Sequence, residues 1–257
     1  KESKITGTLN LCALGEFQKV SRREAEYINE LQAGEQIIYI PHSIRIEEST
    51  LSSVTCAPAG GRALYELPND PEWKKRHVLF KGDLQFDESV FEGQVDFSNV
   101  IAGGSNLSFV GAKFKNDAIF DDAIFDDAIY LKYGFDISQF SEQVTCFDAN
   151  TRGFSGAAFS KKASFVNVVF NSDGIQFFNA IFGQGNSNTG LKPGDTLADF
   201  SHASFKASAV FPGAKFNHGA NFSHVTFRDG AYFVFPGEDP AVFKGHISFD
   251  SAKFEKD

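Results

Sequence analysis

Phenylalanine marks this chain at five- and six-residue intervals. Pairs five apart run Phe86/Phe91, Phe109/Phe114, Phe120/Phe125, Phe154/Phe159, Phe165/Phe170, Phe200/Phe205, Phe211/Phe216, Phe222/Phe227 and Phe249/Phe254. Successive pairs often begin 11 apart, as at 109 and 120, 154 and 165, and then 200, 211 and 222. A small residue usually stands two before the second Phe: Ala112, Ala123, Ala157, Ala203, Ala214 and Ala252, with Val168 and Val225 as larger variants. The unit is F-x-x-A-x-F. A five-residue interval suits neither a helix face nor a flat strand. The small residue and the Phe, separated by one other, instead read as inward positions of a very short strand. The two residues after each Phe then turn a corner. A unit this short must be one side of a larger coil. Four sides give a coil, and coils stack about 4.8 Å apart through parallel ladder bonds.

AIFDD at 118–122 and 123–127, AKFKN at 112–116 and ANFSH at 220–224 share one five-residue form: small, any, Phe, then two polar residues. ASFVN at 163–167 departs only at Val166. This pattern resembles the pentapeptide-repeat family over about residues 80–257. The resemblance implies an all-β fold, a right-handed parallel β-helix of quadrilateral section. The central residue here is almost always Phe, and spacings of five and six alternate. That alternation predicts coils of 22 residues rather than 20. In AIFDDAIFDDAIY the plain spacing of five survives. There Phe120, Phe125, Tyr130 and Phe135 are expected to fill four sides, with Phe140 beginning the next layer.

Three similar segments support the longer coil. SHASF begins at 201, SHVTF at 223 and GHISF at 245, so His202, His224 and His246 recur every 22 residues. Stacked, they predict a column of three outward imidazoles. Such a column is a candidate transition-metal patch or a pH-responsive one; the plainer reading is exposed residues carried along by duplication. No metal or other cofactor is called for by any other motif.

The first 79 residues are less regular. GTLNL at 7–11 and IIYIPHSIRIE at 37–47 read as strands. Between them Ser21 and Glu24 have capping-box spacing, and Gly34 suits a helix end, which predicts a short helix over 22–33 with Ala25, Ile28 and Leu31 on one face. Residues 1–79 are thus expected to cap a solenoid formed by 80–257. GQGNSNTGLKPGDTLA at 183–198 breaks the phase and predicts a loop, as does the shorter FPGEDPA at 235–241.

Composition narrows the function classes. The 257 residues include 30 Phe, against 6 Tyr and 1 Trp, so one packing site is repeated many times. The net charge is −9, and Lys/Arg groupings in the sequence are short: Lys19/Arg22/Arg23, Lys74/Lys75/Arg76 and Lys161/Lys162. Direct nucleic-acid binding is therefore not expected. No apolar run reaches the ~20 residues of a membrane span. No leader sequence is evident and Met is absent, which fits a processed or trimmed N-terminus and leans toward a cytoplasmic location. Cys12, Cys56 and Cys146 have neither disulfide-framework nor metal-ligand spacing and read as buried apolar residues.

Acidic residues cluster at Asp83, Asp87, Glu88 and Glu92, and at Asp117, Asp121, Asp122, Asp126 and Asp127. They read as a solvated acidic surface. No nucleotide-binding, nucleophile-elbow or zinc-protease motif occurs. The leading expectation is a non-catalytic protein-binding or scaffold solenoid, with a dimer through a solenoid end as one assembly. The resemblance implies an alternative, an acidic DNA-mimic regulator of an enzyme such as gyrase. A carbohydrate-active β-helix enzyme is the second alternative, but the His column has no aligned carboxylate column. Asp199 is near His202, while the positions 22 and 44 further on are Asn221 and Phe243.

Overall fold

Each F-x-x-A unit closes a tight turn. The Ala112 N–H donates to the Phe109 carbonyl at 3.0 Å, and the same bond joins Ala157 to Phe154, Ala203 to Phe200 and Ala214 to Phe211 at 3.0 Å each. The third turn residue has a left-handed backbone: Gly111 and Gly213 at one corner of the coil, and Asn99, Asn167, His202, His224 and Ser251 at the opposite corner. Glycine adopts such φ values freely and Asn tolerates them. The other two corners are the six-residue intervals. The computed structural model describes residues 3–19, 36–56, 77–102, 107–121, 123–125, 153–170, 177–183 and 197–256.

These turns fold the chain into a four-sided parallel β-helix. The first face stacks Ile44–Arg45, Leu84–Gln85 and Leu107–Ser108, continues through a bridge from Ser108 to Gly153, and ends with Ala209–Val210 and Ala231–Tyr232. The second runs from Thr50 and Leu51 through Val90–Phe91, Lys113–Phe114, Ala158–Phe159, Ile181–Phe182 and Lys215–Phe216 to Val242–Phe243. The third runs from Val54 and Thr55 through Val95–Asp96, Ala118–Ile119, Ala163–Ser164, Ala198–Asp199 and Ala220–Asn221 to Ile247–Ser248. The fourth holds, among the described residues, eight parallel strands from Gln36–Ile40 to Lys253–Phe254. Seven steps of ~4.8 Å make that face about 34 Å tall.

The pairing shows how the coils count. Ser204 pairs with Thr226 and Ala209 with Ala231, steps of 22. Lys113 follows Val90 by 23. Longer steps mark inserted chain. Ala118 pairs with Ala163, so the layer after Phe120 is Phe165, whose ring stacks on it at 5.0 Å. The expectation that Phe140 begins that layer is corrected, and Tyr130, Phe135 and Phe140 themselves lie outside the described residues. Ala163 pairs in turn with Ala198. Most of the predicted 183–198 loop lies outside the described residues, but Leu197 and Ala198 are buried and Ala198 is in a strand.

Inside, the rings form columns. Phe91, Phe114, Phe159, Phe182, Phe216 and Phe243 stack at 4.7–5.0 Å with planes within 5°. A second column runs Phe86, Phe109, Phe154, Phe177, Phe211 and Phe233, and a third Phe97, Phe120, Phe165, Phe200, Phe222 and Phe249. Within a layer the rings meet edge to face, as Phe154 and Phe165 do at 5.2 Å and 83°. Both geometries suit the ring quadrupole. Ala112, Ala123, Ala157, Ala163 and Ala203 are buried beside them, and the intervening Lys113 is exposed, as period-two patterning requires. The fourth face departs from that rule. Its outward residues Leu79, Ile101 and Ile124 are buried too, and form a second apolar cluster with Ile37, Tyr39 and Val169.

The ladder crosses residue 80 without a break in pairing. β1 (Ser3–Asn10) lies parallel on β2 (Ser49–Thr55), from Ser3 against Ser49 to Asn10 against Thr55, with a register shift between Ile5 and Thr8. Ile5, Leu9 and Leu11 pack on the core from that end. Glu16–Lys19 pairs antiparallel with Gln36–Ile40 at the edge of the fourth face, and Ile38 pairs onward with Val78. The strand expected over 37–47 is two, Gln36–Ile40 and Ile44–Arg45, because Pro41 opens a corner between them. The helix expected over 22–33 lies outside the described residues.

Candidate functional site

The histidine column has two members, not three. His202 and His224 stack with centroids 4.7 Å apart and planes 10° apart. Beyond Thr226, however, the partner is Lys253, a step of 27. The extra five residues enter at the FPGEDPA segment, where the Glu238 N–H closes a turn on the Phe235 carbonyl at 3.1 Å. Ser251 therefore follows His224 at the turn, with a φ of 56°. His246 sits at another corner, where its carbonyl accepts from the Ala220 N–H at 3.0 Å.

Geometry also weighs against metal chelation by the remaining pair. Zinc–imidazole bonds of about 2.0–2.1 Å bring two nitrogens no more than about 4.2 Å apart. Parallel rings at 4.7 Å keep their lone pairs side by side instead of converging. Among the described residues, no group of three or more His, Cys, Asp or Glu is placed to hold a metal ion. Both histidines occupy the turn position that Asn99 and Asn167 fill elsewhere, with φ of 60° and 58°.

The aspartates have structural work at the corners. Asp87 accepts from the Ser108 hydroxyl and, at 3.0 Å, from the Val110 N–H of the next coil. Asp117 and Asp121 accept from the N–H groups of Lys162 and Val166 at 3.3 and 3.1 Å. Asp96 and Asp199 cap their own turns through the N–H groups of Ser98 and Ser201 at 3.0 and 3.1 Å. Asn221 reaches back to Asp199 at 3.1 Å. The bonds of Asp87, Asp117, Asp121 and Asn221 stitch one coil to the next. Asp122, Asp126 and Asp127 lie outside the described residues.

Two thiols are buried where the first layers meet. Cys12 donates to the Cys56 carbonyl at 2.5 Å. Burial, and then the nearby Asp96 carboxylate, push the Cys12 pKa up to about 12. Burial pushes Cys56 well up as well, with Cys12 adding to it. Such thiols are poor nucleophiles and ligands. At the far end, Asp229 is held below the usual carboxylate range by hydrogen bonds from Lys256 and then Ser208. That last layer also exposes apolar side chains: Tyr232, Val234, Val242 and Phe254.

Comparison with known protein families adds one finding. A family model described as pentapeptide repeats, nine copies, matches residues 76–124. Residues 76–124 are pentapeptide repeats. The match lies within the parallel ladder, and the same pairing continues beyond it from Ala118 to Ala163, Ala198, Ala220 and Ile247. No curated protein and no solved structure matches the chain. Among the described residues no helix is long and apolar enough to cross a membrane.

Proposed function

We propose that this pentapeptide-repeat chain is a non-catalytic scaffold that binds a protein partner. Repeat proteins of this family are generally structural or binding proteins. The observation that carries the reading is the division of labour in each coil. Phe and the small residues fill the interior, turn residues and aspartates hold the corners, and outward side chains such as Lys113 and Lys215 stand exposed on a flat face. A rigid rod of that kind presents flat faces at fixed spacing. The exposed Tyr232, Val234, Val242 and Phe254 leave apolar side chains around its last described layer for a protein surface to cover. At the other end, β1 and the antiparallel Glu16–Lys19 strand serve as a cap, since an antiparallel strand no longer offers the parallel template.

The DNA-mimic alternative calls for an unbroken negative stripe. The outward column of the third face reads Asp96, Ile119, Ser164, Asp199, Asn221 and Ser248, in which Asp96 and Asp199 alone carry charge. The scaffold reading is tested by immobilising the chain, capturing a partner from native extract, and titrating the purified partner back calorimetrically. Saturable binding at a fixed stoichiometry is expected. No binding by any purified candidate, together with turnover of a polysaccharide by the chain, would replace this reading with the enzyme one.

A further inference from the structure

Lysines that are scattered in sequence gather on one side of the rod. Lys113 and Lys215 are the outward residues of two strands on the second face, and both are exposed. Lys115 and Lys244 follow the inward Phe of the same face, where their N–H groups donate to the carbonyls of Phe91 and Phe216. Lys161 and Lys162 stand at the corner leading to the third face, with the Lys161 ammonium 3.0 Å from the Asn116 side-chain oxygen. The ladder from Lys113 through Ala158 and Ile181 to Lys215 is three steps, about 14 Å, and Lys115 to Lys244 is four steps, about 19 Å.

On the flat face itself one carboxylate among the described residues, Glu92, stands against Lys113, Lys115, Lys215 and Lys244; the others, with Glu88 beside Gly111 among them, line its corners. Glu92 pairs with Lys115 at 2.7 Å, Asp199 lies 3.7 Å from Lys162, and Asp117 accepts from the Lys162 backbone. Glu238 and Asp239 lie on the turn segment beside the neighbouring corner. Lys113, Lys215 and Lys244 have no ion pair among the described residues. Exposed pairs such as Lys115–Glu92 contribute little and exchange readily for another carboxylate. A chain of net charge −9 thus carries a local surplus of positive charge on one flat face.

We propose that this face binds an acidic, extended protein segment. The inference rests on the scaffold reading and names the partner's chemistry. An extended peptide advances about 3.3 Å per residue, so six residues span the lysine rows. In the outward column Ile181 stands between Lys113 and Lys215 and Val242 one step beyond Lys215, and both suit the methyl groups of a peptide. Single-stranded nucleic acids use aromatic platforms for their bases, and the outward column here, Lys113, Ala158, Ile181, Lys215 and Val242, has none.

The test titrates the intact protein into a fluorescein-labelled eight-residue peptide of Asp and Glu with two aliphatic residues. A neutral peptide and a thymidine oligonucleotide of equal charge serve as competitors. Saturable peptide binding that weakens with added salt is expected. Lys113→Glu/Lys215→Glu is expected to weaken it at least tenfold, while Lys206→Glu/Lys253→Glu, away from this face, leaves it unchanged. No saturable binding, equal losses in both variants, or tighter binding of the oligonucleotide would overturn the proposal. If the Lys113→Glu/Lys215→Glu protein still retains a partner captured from extract at full affinity, the scaffold reading stands and this face is not its site.

Discussion

Truncating Phe165 to Ala tests the stacked core where it is most enclosed. The ring is fully buried. It stacks on Phe120 at 5.0 Å and on Phe200 at 4.8 Å, and meets Phe154 and Phe177 edge-on at 5.2 and 5.4 Å. A buried Phe→Ala change costs about 3–5 kcal/mol, because the cavity adds to the lost burial. The lost ring pairs, each about 0.5–1.5 kcal/mol beyond area, place this site toward the upper end. Phe254 provides the contrast. It is 54% exposed and stacks on one side only, on Phe227 at 4.9 Å. Its truncation is expected to cost about 1 kcal/mol, by partial loss of a burial worth 1.5–3 kcal/mol in full. Urea unfolding of both variants, followed by circular dichroism, measures the two losses. Each coil contacts only its neighbours, so Phe165→Ala is also expected to split the transition between the halves of the rod. Equal losses at the two sites, or a loss below about 0.5 kcal/mol at Phe165, would refute the stacked-column explanation.

Other sites give sharper local tests. Cys12, with its pKa pushed from 9.0 to about 12, is expected to react with iodoacetamide at pH 8 about a thousandfold more slowly than in the urea-unfolded chain; equal rates would show the thiol is not buried. The same shift has a sign in stability: the fold holds the neutral thiol, the unfolded chain ionises above about pH 9, and stability should fall as pH rises from about 9 toward about 12. Cys12→Ala should flatten that part of the urea-midpoint profile. Replacing His224, at φ 58°, with Asn should leave stability within about 0.5 kcal/mol, whereas Val should cost about 1–2 kcal/mol; similar effects would contradict the left-handed turn. Ala163→Leu, at a fully buried position between ring columns, should cost at least about 1–3 kcal/mol by overpacking, and a neutral result would mean that the small residue is not required.

The local grammar of the coil was legible because it obeys short-range rules. Phe109 and Ala112 specify a ring and an inward methyl within four positions, as the sequence pattern implies, and the structure adds the left-handed Gly111 at the turn between them. Layer-to-layer register was not legible in the same way, because it depends on the length of whatever is inserted. His202 and His224 stack since the chain between them adds nothing to a 22-residue coil. His246 repeats the spacing in sequence but is displaced by the FPGEDPA insertion. The same effect moves the layer after Phe120 to Phe165. It also hid the lysine face, since Lys113 and Lys215 become near neighbours only through two intervening strands. The buried outward residues Leu79, Ile101 and Ile124 could have been noticed as an aliphatic column on the side where polar residues are the rule.

The scaffold claim is tested most directly by site-specific photo-crosslinking in native extract, followed by reconstitution with the purified adduct partner. A photoreactive residue is placed at Lys113 on the second face, at Phe254 in the last layer, and at buried Phe165 as a control. The expected result is one protein adduct from an outward site, saturable and reproduced at fixed stoichiometry with the purified partner, and none from Phe165. The contradicting result is no protein adduct from either outward site while the chain turns over a small-molecule or polysaccharide substrate.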